Sequence, residues 1–430
     1  MADSEAAGST SAPDAVDVVV VGGGIAGLTA AITAAEAGRN VVVLEARDVA
    51  GGRAKSAAFA GATFDAGPHA LYRSGAGMKI LRELGIDPSG SEPQGPQMAH
   101  DERGLHRLPS GVGTLLTTTY LSSADKAAFG WFFSNLGRIP AEKYDSSTVN
   151  EMIDALTSRQ RVAALMRALS RLTSYSADLD LASGGAALRQ LQMVVTDNVL
   201  YLDNGWQQLI DALVGRAERA GVSVRTGCEV RSAVRNDDSL VVTSDQQTLE
   251  ARCVVLATPP AVADRLACSG ETLQKTAGPP VTAAVLDVVA GLVPKTRFIL
   301  GVEHPTYASV VGPPAARVKA GSAAIVCARY LADGEQHDAN NTANQLREQR
   351  RLLGVEDSSV VDERYLHRLT VTGGQPLASV GGFAGRPTIN STLDDRLLIA
   401  GDWVGPTGLL ADAAFASGRD AGRAAASVAG

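Results

Sequence analysis

At 430 residues the chain is longer than one ordinary hydrophobic core supports, which points to two domains. Hydrophobic residues make up 45% and charged residues 20%, a balance that excludes a disordered chain. The formal net charge of -7 comes without any block of like charges, which excludes a nucleic-acid-binding surface.

Taken in chain order, Met1 to Ala15 is mostly Ala, Ser, Gly, Asp and Pro without an apolar run, and is expected to be a flexible tail with no signal-peptide pattern. No apolar stretch approaches the roughly 18 residues of a membrane span, and the expected location is the cytoplasm. Val18 to Val21 is a continuous β-branched run, the pattern of a parallel strand buried on both faces. It breaks into Gly22-Gly23-Gly24-Ile25-Ala26-Gly27. A helical stretch, Leu28 to Ala37, follows and stops at Gly38, and Asn40 to Leu44 reads as a second strand ending in Glu45. Gly22 allows the tight turn, Gly24 lets the backbone approach a pyrophosphate, and Gly27 lets helix and strand pack closely. The helix N-terminus offers free N–H groups and a partial positive charge to phosphates. Glu45 stands where a carboxylate accepts hydrogen bonds from ribose hydroxyls. This order of strand, glycine loop, helix, strand and acid points to a bound dinucleotide.

The next segment, Glu45-Ala46-Arg47-Asp48-Val49-Ala50-Gly51-Gly52-Arg53, resembles the stretch after the ribose-binding acid in the amine oxidase, phytoene desaturase and protoporphyrinogen oxidase superfamily of flavoproteins. The resemblance implies FAD, with Gly51, Gly52 and Arg53 wrapped around the diphosphate and ribityl chain. Arg53 would offer phosphate charge-assisted hydrogen bonds. Phe64-Asp65-Ala66-Gly67-Pro68-His69 is similar to the loop beside the flavin ring. Tyr201-Leu202-Asp203-Asn204-Gly205-Trp206 resembles the turn that returns the chain to the FAD domain, and Gly221 to Val224 with Glu229-Val230 the strand pair that holds the adenine. Val254 to Pro260 resembles the buried strand and turn that follow. The strand Leu397 to Ile399 closes on Ala400-Gly401-Asp402 and leads to Gly408-Leu409-Leu410 and a small-residue helix, Ala411 to Ala426. There the resemblance implies that Asp402 meets the ribityl or phosphate region, and that the helix N-terminus stabilises negative charge at the flavin O2 side. The implied cofactor-binding set is Gly22, Gly24, Ile25, Ala26, Gly27, Glu45, Ala46, Gly51, Gly52, Arg53, Gly67, Pro68, His69, Val230, Gly401, Asp402, Gly408, Leu409 and Leu410. No cysteine lies near Gly405 to Asp412, so the FAD is expected to be held without a covalent bond.

The fold expected on this basis is α/β. A discontinuous Rossmann-like FAD-binding domain takes residues 16–85, 200–268 and 385–430, and a substrate domain of mixed sheet and helices takes 86–199 and 269–384. Residues 146–172 read as helical, and Val281 to Val289, Arg297 to Val302 and Ala323 to Tyr330 as strands. Ser89 to Gln97, rich in Pro, Gly and Ser, reads as a crossing loop. The cysteines Cys228, Cys253, Cys268 and Cys327 keep no metal-ligand spacing; they are expected to be buried thiols, and no metal is expected.

In such a flavoprotein the cofactor carries the chemistry: a substrate carbon gives a hydride to flavin N5, and O2, a quinone or another acceptor takes the electrons on. Amine oxidases place an aromatic cage residue just before the last helix. Counting back from Gly418 puts Leu410 there. A leucine favours an apolar C–H segment, so the reading leans to desaturation or dehydrogenation of a hydrophobic molecule, isoprenoid or polyene. Oxidation of an amine or amino-acid-derived C–N bond is the alternative. Redox-neutral isomerisation and a flavin-free prenyl-binding escort role are further ones. His69 is the candidate to orient substrate or accept a proton, and Leu410 the candidate to face it. Asp412 is read as a helix-dipole partner or a substrate-facing group. Trp131-Phe132-Phe133 is read as core packing or as a patch for peripheral membrane contact.

Overall fold

The computed structural model describes residues 14–430. Residues 1–13 of the expected tail lie outside this range, while Asp14 and Ala15 already belong to the first strand, β1 (Asp14–Val21). Val18, Val19 and Val20 are fully buried because β1 runs through the middle of a seven-stranded sheet. On one side it pairs in parallel with β2 (Val41–Leu44), which pairs in parallel with Ser223–Arg225. On the other side it pairs in parallel with Thr248–Leu256, which is flanked by parallel Leu397–Ile399 and by the antiparallel hairpin Val230–Asn236/Ser239–Ser244. The register aligns Val21 with Leu44 and Leu256, and Leu256 with Ile399. Four strands therefore end in line and release Gly22, Glu45, Ala257 and Ala400 at one edge, where α/β sheets bind ligands.

The helix α1 (Ile25–Glu36) starts three residues before the expected Leu28, because Ile25, Ala26 and Gly27 already form its first turn. It packs against the C-terminal helix Leu410–Val428. The approach is close enough that a Cβ on Gly418 would stand 2.4 Å from the Ala26 carbonyl oxygen, and one on Gly422 2.5 Å from that of Ala30.

A second seven-stranded sheet has the order Val360–Thr372, Val281–Ala290, Ala323–Leu331, Thr306–Gly312, Phe298–Gly301, Gln97–Asp101 and Gly104–Arg107. It is antiparallel except where Phe298–Gly301 runs parallel to Gln97–Asp101. Every residue of Val281–Ala290 is buried, since alternate side chains enter different cores. Ala284, Leu286 and Val288 pack with Leu346 of the helix Ala339–Leu352. Ala283 and Val285 pack with the helices Val149–Leu156, Gln160–Ser174 and Gly184–Asp197. The expected crossing loop 89–97 is partly ordered into strand, with Gly90–Ser91 pairing with Val199–Leu202 and Gln97 opening a strand of the second sheet.

Two smaller expectations change. Cys268 is exposed, at the left-handed C-cap of the helix Pro260–Ala267, while the other three cysteines are buried. Trp131 is 61% exposed although Phe132 beside it is buried, so that segment divides between core and surface. No helix among the described residues is long and apolar enough to cross a membrane, and no group of His, Cys, Asp and Glu among them is arranged to hold a metal.

Candidate active site

At the edge where the four strands end, a cavity of about 590 Å³ opens. Glu45 stands beside it, largely buried, and both its oxygens accept from backbone: Gly23 N–H donates to Oε2 at 2.7 Å and Arg47 N–H to Oε1 at 3.0 Å. The first N–H groups of α1 have no side-chain cap, since Gly24 occupies the cap position. A Cβ built on Gly24 would meet nothing within 4 Å. A helix start with unspent donors thus faces open space, the arrangement that receives a phosphate.

Arg53 and Asp402 meet across the same cavity. Arg53 Nη2 donates to Asp402 Oδ1 at 2.8 Å and Nη1 to the Val371 carbonyl at 3.3 Å, while Gly373 N–H also donates to Asp402. The guanidinium expected on a phosphate is therefore held by a carboxylate from the far end of the chain, at 40% side-chain exposure. In the loop Gly67-Pro68-His69, His69 Nδ1 is 2.9 Å from the Gly67 carbonyl, so Nδ1–H donates and Nε2 is the acceptor of the neutral ring. Its ring tilts against Trp206, with centroids 5.0 Å apart.

Of the residues singled out from sequence, all but three line the cavity. The exceptions are Gly27, Gly408 and Leu409. Gly27 is a packing glycine, because a Cβ there would stand 1.9 Å from the Gly22 carbonyl oxygen. Gly408 makes a left-handed turn (φ 69°) against Asp412, and Leu409 borders a separate small void behind Leu410. Sequence reasoning missed Tyr72, Tyr175, Leu369 and Trp206 as wall residues. Only Trp206 carried a signal, its place in the Tyr201–Trp206 turn. Leu410 and Tyr175 both hold left-handed backbone at the wall (φ 55° and 59°), a conformation that non-glycine residues seldom adopt. The hydroxyl of Tyr72 is directed away, donating to the Thr173 carbonyl at 3.2 Å.

Asp412, two residues after Leu410 in the first turn of the C-terminal helix, also borders the cavity. Its Oδ1 accepts Gly77 N–H at 2.7 Å, capping the helix Ala76–Glu83, while its buried Oδ2 has no partner. Burial pushes its carboxyl up to about 6, against the pull of the Gly77 N–H and of Lys79. The ionised form is thus disfavoured in the folded protein. The stability this group contributes is full below the ordinary value of 3.8 and is lost as pH rises through about 6. In the cofactor-free protein, Asp412→Asn should raise the melting temperature over wild type by a margin that is small near about pH 4 and widens up to about pH 7. Thermal melts across that range check it, and a constant margin would count against a buried charge.

Residues 25–426 match the family model described as flavin containing amine oxidoreductase. The chain belongs to this family. Its cofactor is accordingly FAD, and the free helix start, the Glu45 carboxylate and the open face at Gly24 fit a dinucleotide. This flavin amine oxidoreductase is 30% identical over 271 residues to a putative flavin-containing monoamine oxidase of Mycobacterium tuberculosis, a match that covers 59% of either chain. A segment of 55 residues, 13% of the chain and 11% of the relative, is 51% identical to hydroxyneurosporene desaturase of Rhodobacter capsulatus. Among solved structures it is similar in fold to an oxidoreductase from Methanosarcina mazei (TM-score 0.74, 16% identity, covering 94% of this chain and 99% of that one). It is also similar to cyclohexylamine oxidase from Brevibacterium oxydans (TM-score 0.70, 16% identity, 96% and 99%).

Proposed function

We propose that this oxidoreductase takes a hydride from a compact, largely apolar small molecule. The observation that carries the reading is the composition of the wall: Leu71, Leu369 and Leu410 with the rings of Tyr72 and Tyr175. Of the charged groups at this wall, Arg53 is held by Asp402, and Asp412 caps Gly77 with one oxygen while burial disfavours its charge. A volume of about 590 Å³ shared with the cofactor suits a short hydrophobic segment better than an extended polyene.

In this reading FAD lies across the crevice without a covalent bond. The start of α1 would hold its diphosphate and Glu45 its ribose, and the Gly67–His69 loop and the C-terminal helix would flank its ring. When bound, FAD supplies the hydride acceptor. The chain's own work is to exclude water with Leu410 and Leu369 and to press the reacting carbon against the ring. His69 Nε2 can accept a proton released by the substrate. Residues 16–85, 200–268 and 385–430 form the FAD-binding domain, and 86–199 and 269–384 the substrate domain. Glu45→Ala should cost about 1–3 kcal/mol of FAD affinity, the scale of a hydrogen bond to a charged group. Fluorescence titration with FAD reads this as a rise in dissociation constant of about fivefold to about a hundredfold.

A second reading, oxidation of an apolar amine, draws on the aromatic faces of Tyr72, Tyr175 and Trp206, which suit an amine nitrogen. It also draws on relatives named as amine oxidases. Anaerobic flavin reduction decides between the two. The FAD-loaded protein is mixed with cyclohexylamine and benzylamine on one side, and with cyclic and short-chain isoprenoid alkenes and ketones on the other. Reduction by the amines alone would sink the first reading.

A further inference from the structure

Two ion pairs, one buried and one half-buried, reach from the second sheet and the loop after its strand Thr306–Gly312 to one β-hairpin, Ser56–Phe59/Ala62–Asp65, which runs directly into the loop Ala66–His69. Arg317, which follows the strand Thr306–Gly312, donates from Nη1 to Asp65 Oδ2 at 2.7 Å, with both side chains at 3% exposure or less. Its Nε donates to the Leu202 carbonyl at 2.8 Å, and its own carbonyl accepts Thr63 N–H at 2.8 Å. Arg364, paired with Asp287, lies over the rings of Phe59 and Phe64.

Asp65 is the junction. Besides Arg317 it accepts the Ser56 hydroxyl at 2.6 Å and the backbone N–H of Trp206 at 2.8 Å. Trp206 is the cavity-wall ring that packs on His69. We infer that Arg317 is a positioning residue for the active site: by way of Asp65 it holds Trp206 and His69 against the cofactor cavity. The flavin-side loop is in this way fastened to the substrate sheet as well as to the dinucleotide sheet.

Charge makes the inference testable. Burial pushes the Asp65 carboxyl up, but Arg317, His69, the Ser56 hydroxyl and the Trp206 N–H together hold it below the usual carboxylate range. The other charged groups facing it are Asp287 and Arg364 from the strands Val281–Ala290 and Val360–Thr372. Without Arg317 the burial effect dominates, and Asp65 should take up a proton within the working pH range. A protonated Asp65 is a weaker acceptor for Trp206, so the wall shifts with pH.

The experiment follows the visible circular dichroism of the bound flavin in FAD-loaded protein from about pH 5 to about pH 9. Arg317→Met should show a transition absent from wild type, and the double variant Asp65→Asn/Arg317→Met should lose it. A folded, FAD-loaded Arg317→Met whose profile superimposes on wild type would overturn the inference. So would a double variant that keeps the transition, which would place the titration elsewhere. If Arg317→Met does not fold, Arg317→Lys serves: it keeps the charge but loses the Leu202 bond. It should show the transition at lower pH with smaller amplitude, and a wild-type profile there overturns the inference equally.

Discussion

Gly24→Ala should leave the protein folded but binding FAD at least tenfold more weakly, whereas Gly27→Ala should lose both the fold and the cofactor. The two glycines are three residues apart at the start of α1, yet their surroundings are opposite. A methyl on Gly24 touches no protein atom and projects into the space at the start of α1. It leaves the apo protein's melting temperature nearly unchanged but obstructs whatever occupies that space. A tenfold or greater loss of FAD affinity, about 1.4 kcal/mol or more, is expected. A methyl on Gly27 would stand 1.9 Å from the Gly22 carbonyl oxygen and 3.2 Å from the Ala257 Cβ, so helix and strand must separate. Overfilling of ordinary cores costs about 1–3 kcal/mol. Here the obstacle is backbone with no rotamer to change, and the cost should exceed that range. Apo-protein melting and FAD titration of both variants check the pair. A Gly24→Ala protein that binds FAD as tightly as wild type would move the diphosphate away from α1.

Leu410 provides the second large effect. Left-handed backbone costs a side-chain-bearing residue about 1–2 kcal/mol. Full burial of a leucine returns roughly 1.5–3 kcal/mol, and the partly buried Leu410 gains a share of it. Leu410→Ala keeps the strain and loses the packing. Leu410→Gly loses both, so it should melt above the alanine variant although it leaves the larger gap. Both should load FAD and reduce it more slowly with an apolar substrate, about tenfold at the barrier change of 1.4 kcal/mol that burial of this size supplies. Leu410→Tyr should exclude bulky apolar substrates by overfilling the wall. Stopped-flow flavin reduction and melting curves for the three variants read these effects. Alanine and glycine variants of equal stability would mean that Leu410 stores no strain.

How much of this was legible depends on whether the signal was contiguous. The strand, glycine loop and Glu45 lie within one short stretch, and each residue's task follows from its immediate neighbours. The place of Leu410 was legible by counting back from Gly418, but its left-handed backbone was not, because leucine carries no preference for it. Gly408 and Leu409 were taken for wall because motif spacing does not distinguish a wall from the turn behind it. Tyr72 and Tyr175 were missed because nothing local links them; Tyr72 bonds to a carbonyl 101 positions away. Arg317 and Asp65 are 252 positions apart. The strand Val360–Thr372 was overlooked because it lies at the edge of its sheet and carries charged residues, which blur the alternation of a half-buried strand.

The interlock of α1 with the C-terminal helix has a consequence for how the protein is made. During synthesis β1, α1 and β2 emerge long before the strand Leu397–Ile399 and the helix Leu410–Val428 that covers α1 at Gly418 and Gly422. Until that helix emerges, the nucleotide-binding half carries an uncovered greasy flank. A nascent chain in that state is a natural client for holding chaperones, and it cannot retain cofactor until Leu410–Val428 has emerged. A frameshift or early stop anywhere before Leu410 would then yield aggregated protein rather than a colourless but soluble fragment.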